Sequence, residues 1–165
     1  MSFAKKVTFE TFNRFNYNKE QRILKIYYGK IGEEALKKFL CDYELESLID
    51  YNIYSGTATV DETDFIINNY KIDIKVMTKN YLDKHLLVVK GYFDNGHKSD
   101  FYVAINLENN GSLARIYGYA TKEDIEKAPV RTWHKLNPIE DYSLPYKNLN
   151  PIGDLIVILK TKGGK

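Results

Sequence analysis

The sequence predicts a mixed α+β chain of the α/β type, with a central β-sheet flanked by helices. Three observations carry this. A helical period follows Asn18, a run of strand-like segments separated by Asn- and Gly-containing turns comes next, and a short capped helix follows those strands. At 165 residues the chain fits one domain with a single core.

In order, residues 1–17 are mixed and aromatic-rich, in keeping with a short strand or an arm. Asn18 is placed to cap a helix whose apolar residues (Ile23, Leu24, Tyr27, Ile31, Leu36, Phe39, Leu40) approximate a 3.6-residue period. Gly29 and Gly32 either split it or let it approach another backbone closely. Ile53–Val60, the segment 63–76, HLLVVKGYF (85–93), DFYVAINL (100–107) and LARIYGYA (113–120) read as strands, bounded by Asn68-Asn69, Asp94-Asn95-Gly96 and Asn109-Asn110-Gly111. Thr121 and Asp124 form a capping-box pattern for a short helix that stops before Pro129. The remainder, 129–165, reads as an irregular extension with one more strand, LIVIL (155–159).

Composition narrows the function. The net charge of +2 recruits no nucleic acid by itself, so a basic surface must be local. Cys41 is the single cysteine, which excludes an intramolecular disulfide and disfavours a thiolate cluster; its apolar neighbours favour a buried structural thiol. No apolar run reaches membrane-spanning length and no leader-like segment opens the chain, so an intracellular, cytoplasmic protein is expected.

The segment TDFIINNYKIDIKV (63–76) is the informative one. With Asn68-Asn69 as a two-residue type I′ turn, Ile67 pairs with Tyr70, Phe65 with Ile72 and Asp64 with Asp73. Phe65, Ile67, Tyr70, Ile72, Ile74 and Val76 then share an apolar face, and Asp64, Asp73 and Lys75 share the other. Two opposed carboxylates with Cβ atoms on the order of 5 Å apart resist double ionisation unless a cation lies between them. Mg²⁺ uses this kind of site: one or two protein carboxylates, retained waters and substrate phosphate oxygens. Lys75 could hold an attacking water or offset charge on a phosphate. A solvated polar strand face explains Asp73 and Lys75 without any chemistry.

These residues resemble the core motif of the PD-(D/E)XK nuclease superfamily, in its restriction-endonuclease-like, phage-type form: an Asp near a strand end, a hairpin, then Asp-x-Lys. Thr63 stands where that motif has Pro. The family's helix acid matches Glu33 in GKIGEEALKKFL (29–40), with Glu34 the alternative, and ARIYGYATKEDI (114–125) is similar to its later strand and capped helix. The resemblance spans about residues 18–128 and implies a four-stranded mixed sheet and metal-dependent phosphodiester hydrolysis, with DNA as the partner. It implies that Asp64, Asp73 and the carbonyl of Ile74 ligate Mg²⁺, with Mn²⁺ substituting. It further implies that Lys75 acts on the attacking water and that Glu33 orients a metal-bound water or completes a second metal site. Cleavage of both strands often uses a homodimer, which the sequence leaves open.

Other candidates carry less. His85, His97 and His134 lack zinc-ligand spacing, with exposure the default for the first two, and Trp133 is best read as packing. Tyr92, Tyr102, Tyr117 and Tyr119 fall in strand patterns and read as packing before base stacking. Lys37 and Lys38 support their helix through Glu33 and Glu34, and the C-terminal lysines read as a solvated tail. The leading expectation is a metal-dependent endonuclease; the alternative is a non-catalytic nucleic-acid- or protein-binding module of the same fold.

Overall fold

A computed structural model describes residues 18–45, 48–49, 63–78, 84–132 and 138–161. The expectations for residues 1–17, the strand at Ile53–Val60, Trp133 and His134 lie outside these residues.

Helix α1 spans Lys19–Cys41 without a break. Asn18 caps it as expected: its side chain accepts from the Gln21 N–H at 2.9 Å, while Gln21 Oε1 accepts from the Asn18 N–H at 3.2 Å. Of the two glycines, Gly32 marks a close approach. A Cβ built there would lie 2.3 Å from Cγ2 of Val76, whereas one at Gly29 would meet nothing within 4 Å.

Strands β1 (Leu48–Ile49), β2 (Phe65–Ile67), β3 (Tyr70–Met77), β5 (Phe101–Glu108) and β6 (Leu113–Thr121) form one sheet in the order β1-β2-β3-β5-β6. It has five described strands where the family resemblance implied four. Only β3 and β5 run parallel; the other pairs are antiparallel. The β2–β3 hairpin has the expected register, Phe65 opposite Ile72 and Ile67 opposite Tyr70. Asn68 and Asn69 hold φ of 48° and 68°, the positive values that a type I′ turn demands. The Thr121–Asp124 capping box is formed and opens α3 (Lys122–Glu126).

The second half departs from expectation. HLLVVKGYF is a strand only over β4 (His85–Val89); Lys90–Asp94 is a helical turn, α2, closed by an i,i+4 Lys90–Asp94 ion pair at 2.5 Å and burying Phe93. Gly91 and Tyr92 therefore sit on a helix. Residues 129–165 are not a mostly irregular extension. They supply β7 (Val130–Thr132) and β8 (Glu140–Pro145), which join β4 in a second sheet of order β4-β8-β7, and α4 (Ile152–Thr161). LIVIL is the middle of α4 and not a strand. Leu155, Ile156 and Leu159 are buried while Val157 is 60% exposed, a helical rather than an alternating pattern. A short apolar run cannot by itself separate these two states.

The central sheet is covered on both faces, as the burial of β5 from Phe101 through Leu107 requires. On one face Leu36 and Leu40 of α1 and Leu155 and Leu159 of α4 meet Phe65, Ile67, Ile72, Ile74 and Val103. On the other, Tyr102, Ala104 and Ala120 meet Leu86 and Leu144 of the small sheet, Phe93 and Ile125. Tyr102 and Tyr119 are core residues, as expected. Two single-residue expectations fail. Cys41 is exposed, because the last turn of α1 directs it away from the sheet. His85 is buried, with Nδ1 3.0 Å from the Ser143 hydroxyl across the small sheet. No helix among the described residues is long and apolar enough to cross a membrane.

Candidate functional site

The site forms where β2 ends and β3 continues. The Asp64 N–H donates to the Ile72 carbonyl at 3.1 Å, and the Thr63 hydroxyl donates to the same oxygen at 2.8 Å. The regular ladder stops at Phe65, so Asp64 is not the cross-strand partner of Asp73 that the hairpin arithmetic predicts. Its side chain turns inward, and Oδ2 accepts the Ile74 N–H at 2.6 Å. Among the described residues, the carboxylate is what bonds that edge of β3 past the end of β2. Thr63, in the place of the resembled motif's Pro, has a structural task here: its hydroxyl ties the start of β2 to β3.

Asp73 and Lys75 lie on the sheet face opposite the α1 contact. Their register partners on β5 are Tyr102 and Ala104, and Lys75 Nζ is 2.5 Å from Asp73 Oδ2. Both side chains are half-buried. Glu33 arrives from the other face. It follows Gly32, which rests on Val76 and Ile74, and this close contact carries Glu33 toward the same edge of β3. Glu33 is buried and pairs with Lys30 at 2.7 Å. Glu34 is exposed, so of the two helix acids Glu33 is the one directed at the sheet.

The electrostatics show which charges share a neighbourhood. Burial first, and the Asp73 carboxylate second, push the Asp64 carboxyl up to about 8. The Ile74 N–H and Lys75 oppose this, and Glu33 adds the smallest push upward. Asp73 is thus the charge that acts most strongly on Asp64, ahead of Lys75 and Glu33. Among the described residues no group of three or more His, Cys, Asp or Glu side chains converges closely enough to hold a metal ion. This separates Glu33 from a shared three-carboxylate set.

The residues fit a narrower kind of cation site. Asp64 and Asp73 present hard oxygen donors, and burial first, then the Asp73 charge, disfavours the ionised form of Asp64. In a strand a residue's C=O leaves by the same edge as its N–H, so the Ile74 carbonyl faces the side on which Asp64 sits. Two carboxylates and a carbonyl suit an ion that keeps much of its water, as Mg²⁺ does.

Comparison with protein-family models, with curated proteins and with solved structures gave no match. The functional reading therefore rests on this geometry and on the motif. One residue escaped the sequence reading: Asn106, a single amide inside the apolar run of β5 and 1% exposed. A polar side chain amid DFYVAINL was the available signal.

Proposed function

We propose that the chain is a Mg²⁺-dependent nuclease that hydrolyses phosphodiester bonds in DNA, with Glu33, Asp64, Asp73 and Lys75 as its site. The observation that supports it most is that Asp64 bonds the Ile74 N–H of β3 while Lys75, next along that strand, lies within ion-pair distance of Asp73.

In this reading Asp64, Asp73 and the Ile74 carbonyl hold the cation, with Mn²⁺ able to substitute. When bound, such an ion supplies Lewis-acid polarisation of the phosphate and a more acidic water. Lys75 orients the attacking water and offsets negative charge that grows on the phosphate oxygens. Glu33, reaching the edge from the α1 side, orients a water. Lys30 pairs with Glu33 at 2.7 Å and gives that buried carboxylate a partner of opposite charge.

A second reading has its own support: Asp73 and Glu33 each already face a lysine of the same chain, at 2.5 and 2.7 Å. A cluster neutralised in this way suits a binding module without catalysis.

The deciding experiment incubates supercoiled plasmid and single-stranded DNA with the protein in Mg²⁺ or Mn²⁺, beside Asp73→Ala and Lys75→Ala. Metal-dependent cleavage lost in both variants is the expected result. Equal cleavage by all three proteins would sink the assignment, and no cleavage of either DNA would favour the binding module.

A further inference from the structure

Asn106 is buried on β5 with an incomplete set of hydrogen bonds. Its Nδ2 donates to Glu108 Oε1 at 3.4 Å, while Oδ1 has no hydrogen-bond partner among the described residues. Buried acceptors without donors are rare in native proteins and costly where they occur. Such an atom calls for a donor that reaches it in another state of the site.

The sheet register identifies that donor. Asp73, Lys75 and Met77 of β3 lie beside Tyr102, Ala104 and Asn106 of β5, all on one face. Lys75 thus has Asp73 behind it on its own strand and Asn106 diagonally ahead on the next. Diagonal neighbours on a sheet are within reach of a long side chain. Ala104, directly opposite Lys75, offers only a methyl group to pass. Two other cations lie near Glu108: Arg115, opposite Asn106 on β6, has its Nε held by Glu108 at 3.2 Å and a side chain 56% exposed, and Lys84 donates to the Tyr117 hydroxyl at 2.6 Å.

We propose that Asn106 is a positioning residue for Lys75: once Asp73 is engaged by a cation, the Lys75 ammonium donates to Oδ1 of Asn106. The inference rests on the cation-binding reading above. It gives Lys75 a further acceptor when Asp73 is taken, which narrows the rotamers its ammonium samples.

The test follows the Lys75 ammonium by heteronuclear NMR in lysine-labelled protein, its signal assigned by its loss in Lys75→Ala, with and without Mg²⁺. Cleavage kinetics are measured in parallel on the wild type, Asn106→Leu and Asn106→Asp. In the wild type, Mg²⁺ is expected to shift this signal while it stays protected from exchange. Asn106→Leu, similar in volume but without an acceptor, should lose that protection and lower kcat about 10- to 100-fold with little change in KM. Asn106→Asp, which keeps an acceptor, should retain both. Should Asn106→Leu fail to fold, Asn106→Asp decides: a protected, Mg²⁺-shifted signal supports the inference and an unprotected one overturns it. An Asn106→Leu protein that cleaves DNA and protects Lys75 like the wild type overturns this inference alone. A wild-type Lys75 signal that ignores Mg²⁺, with no cleavage, overturns the nuclease reading together with it.

Discussion

Oδ2 of Asp64 accepts the N–H of Ile74 at 2.6 Å, so a side chain bonds the edge of β3 just past the described end of β2. The bond ties the ionisation of one carboxylate to the integrity of the sheet. It also holds Asp64 beside Asp73, which a regular two-strand ladder would have done only by direct cross-strand opposition.

A pH dependence follows from that placement. Asp64 is pushed up to about 8 in the folded chain, from an ordinary value of 3.8. Between those values the folded state binds a proton that the unfolded state has released. The resulting stability is fully present below about pH 4 and is lost as pH rises through about 8. Thermal unfolding of the metal-free protein from about pH 5 to about pH 9 should show Tm falling, and Asp64→Asn should flatten the fall. Mg²⁺ should raise Tm more at the alkaline end, where the carboxylate is ionised. Identical slopes for the two proteins would remove Asp64 as the cause.

The two glycines of α1 should respond oppositely to alanine. Gly32→Ala places a methyl 2.3 Å from the stiff Val76 side chain and should cost about 1–3 kcal/mol as helix and strand separate. Gly29→Ala enters open space and should stabilise by about 0.5–1 kcal/mol. Urea unfolding of both variants reads the difference.

Helix α4 can be tested against the strand that its sequence suggests. An alternating pattern would put Leu155, Val157 and Leu159 on one face, so truncating any of them would cost a similar amount. In the helix Leu159 is fully buried and Val157 is 60% exposed. Leu159→Ala should cost about 2–5 kcal/mol and Val157→Ala within about 0.5 kcal/mol. Similar losses at both positions in denaturant titrations would contradict the helix.

The hairpin turn should be improvable at one residue and fragile at the other. Asn69→Gly, giving the Asn-Gly pair that type I′ turns favour, should raise stability by a few tenths of a kcal/mol, roughly. Asn68→Ala should cost about 1–2 kcal/mol, since it forces alanine to positive φ and removes the Nδ2 bond to the Leu159 carbonyl at 2.8 Å. Differential scanning calorimetry resolves both.

The parts of the fold written in short-range patterns were legible. Asn18 and Thr121 name their helices through caps formed by neighbours three residues away. The Asn68-Asn69 turn sets its register by counting alone. What stayed hidden depended on distant partners. LIVIL became a helix because α1 and the sheet offer a surface matched to a 3.6-residue stripe. Lys90–Asp94 left the strand pattern to bury Phe93 under the small sheet. His85 is buried because β8, more than fifty residues later, brings Ser143 to it. At the site, residue types were readable, but not that Asp64 would close an edge instead of facing Asp73. The Asn106 environment required the parallel register with β3.

That parallel register has a consequence for how the chain reaches its native state. An antiparallel hairpin can close locally, but β3 and β5 run parallel and so cannot be joined by a tight turn. Between them in sequence lies β4, whose partner β8 is the last of the described strands along the chain. The Asp73 and Lys75 face therefore acquires its neighbours late, through contacts of long sequence separation. Refolding should be slow for a chain of this size, and the site should be among the last regions to gain hydrogen-exchange protection.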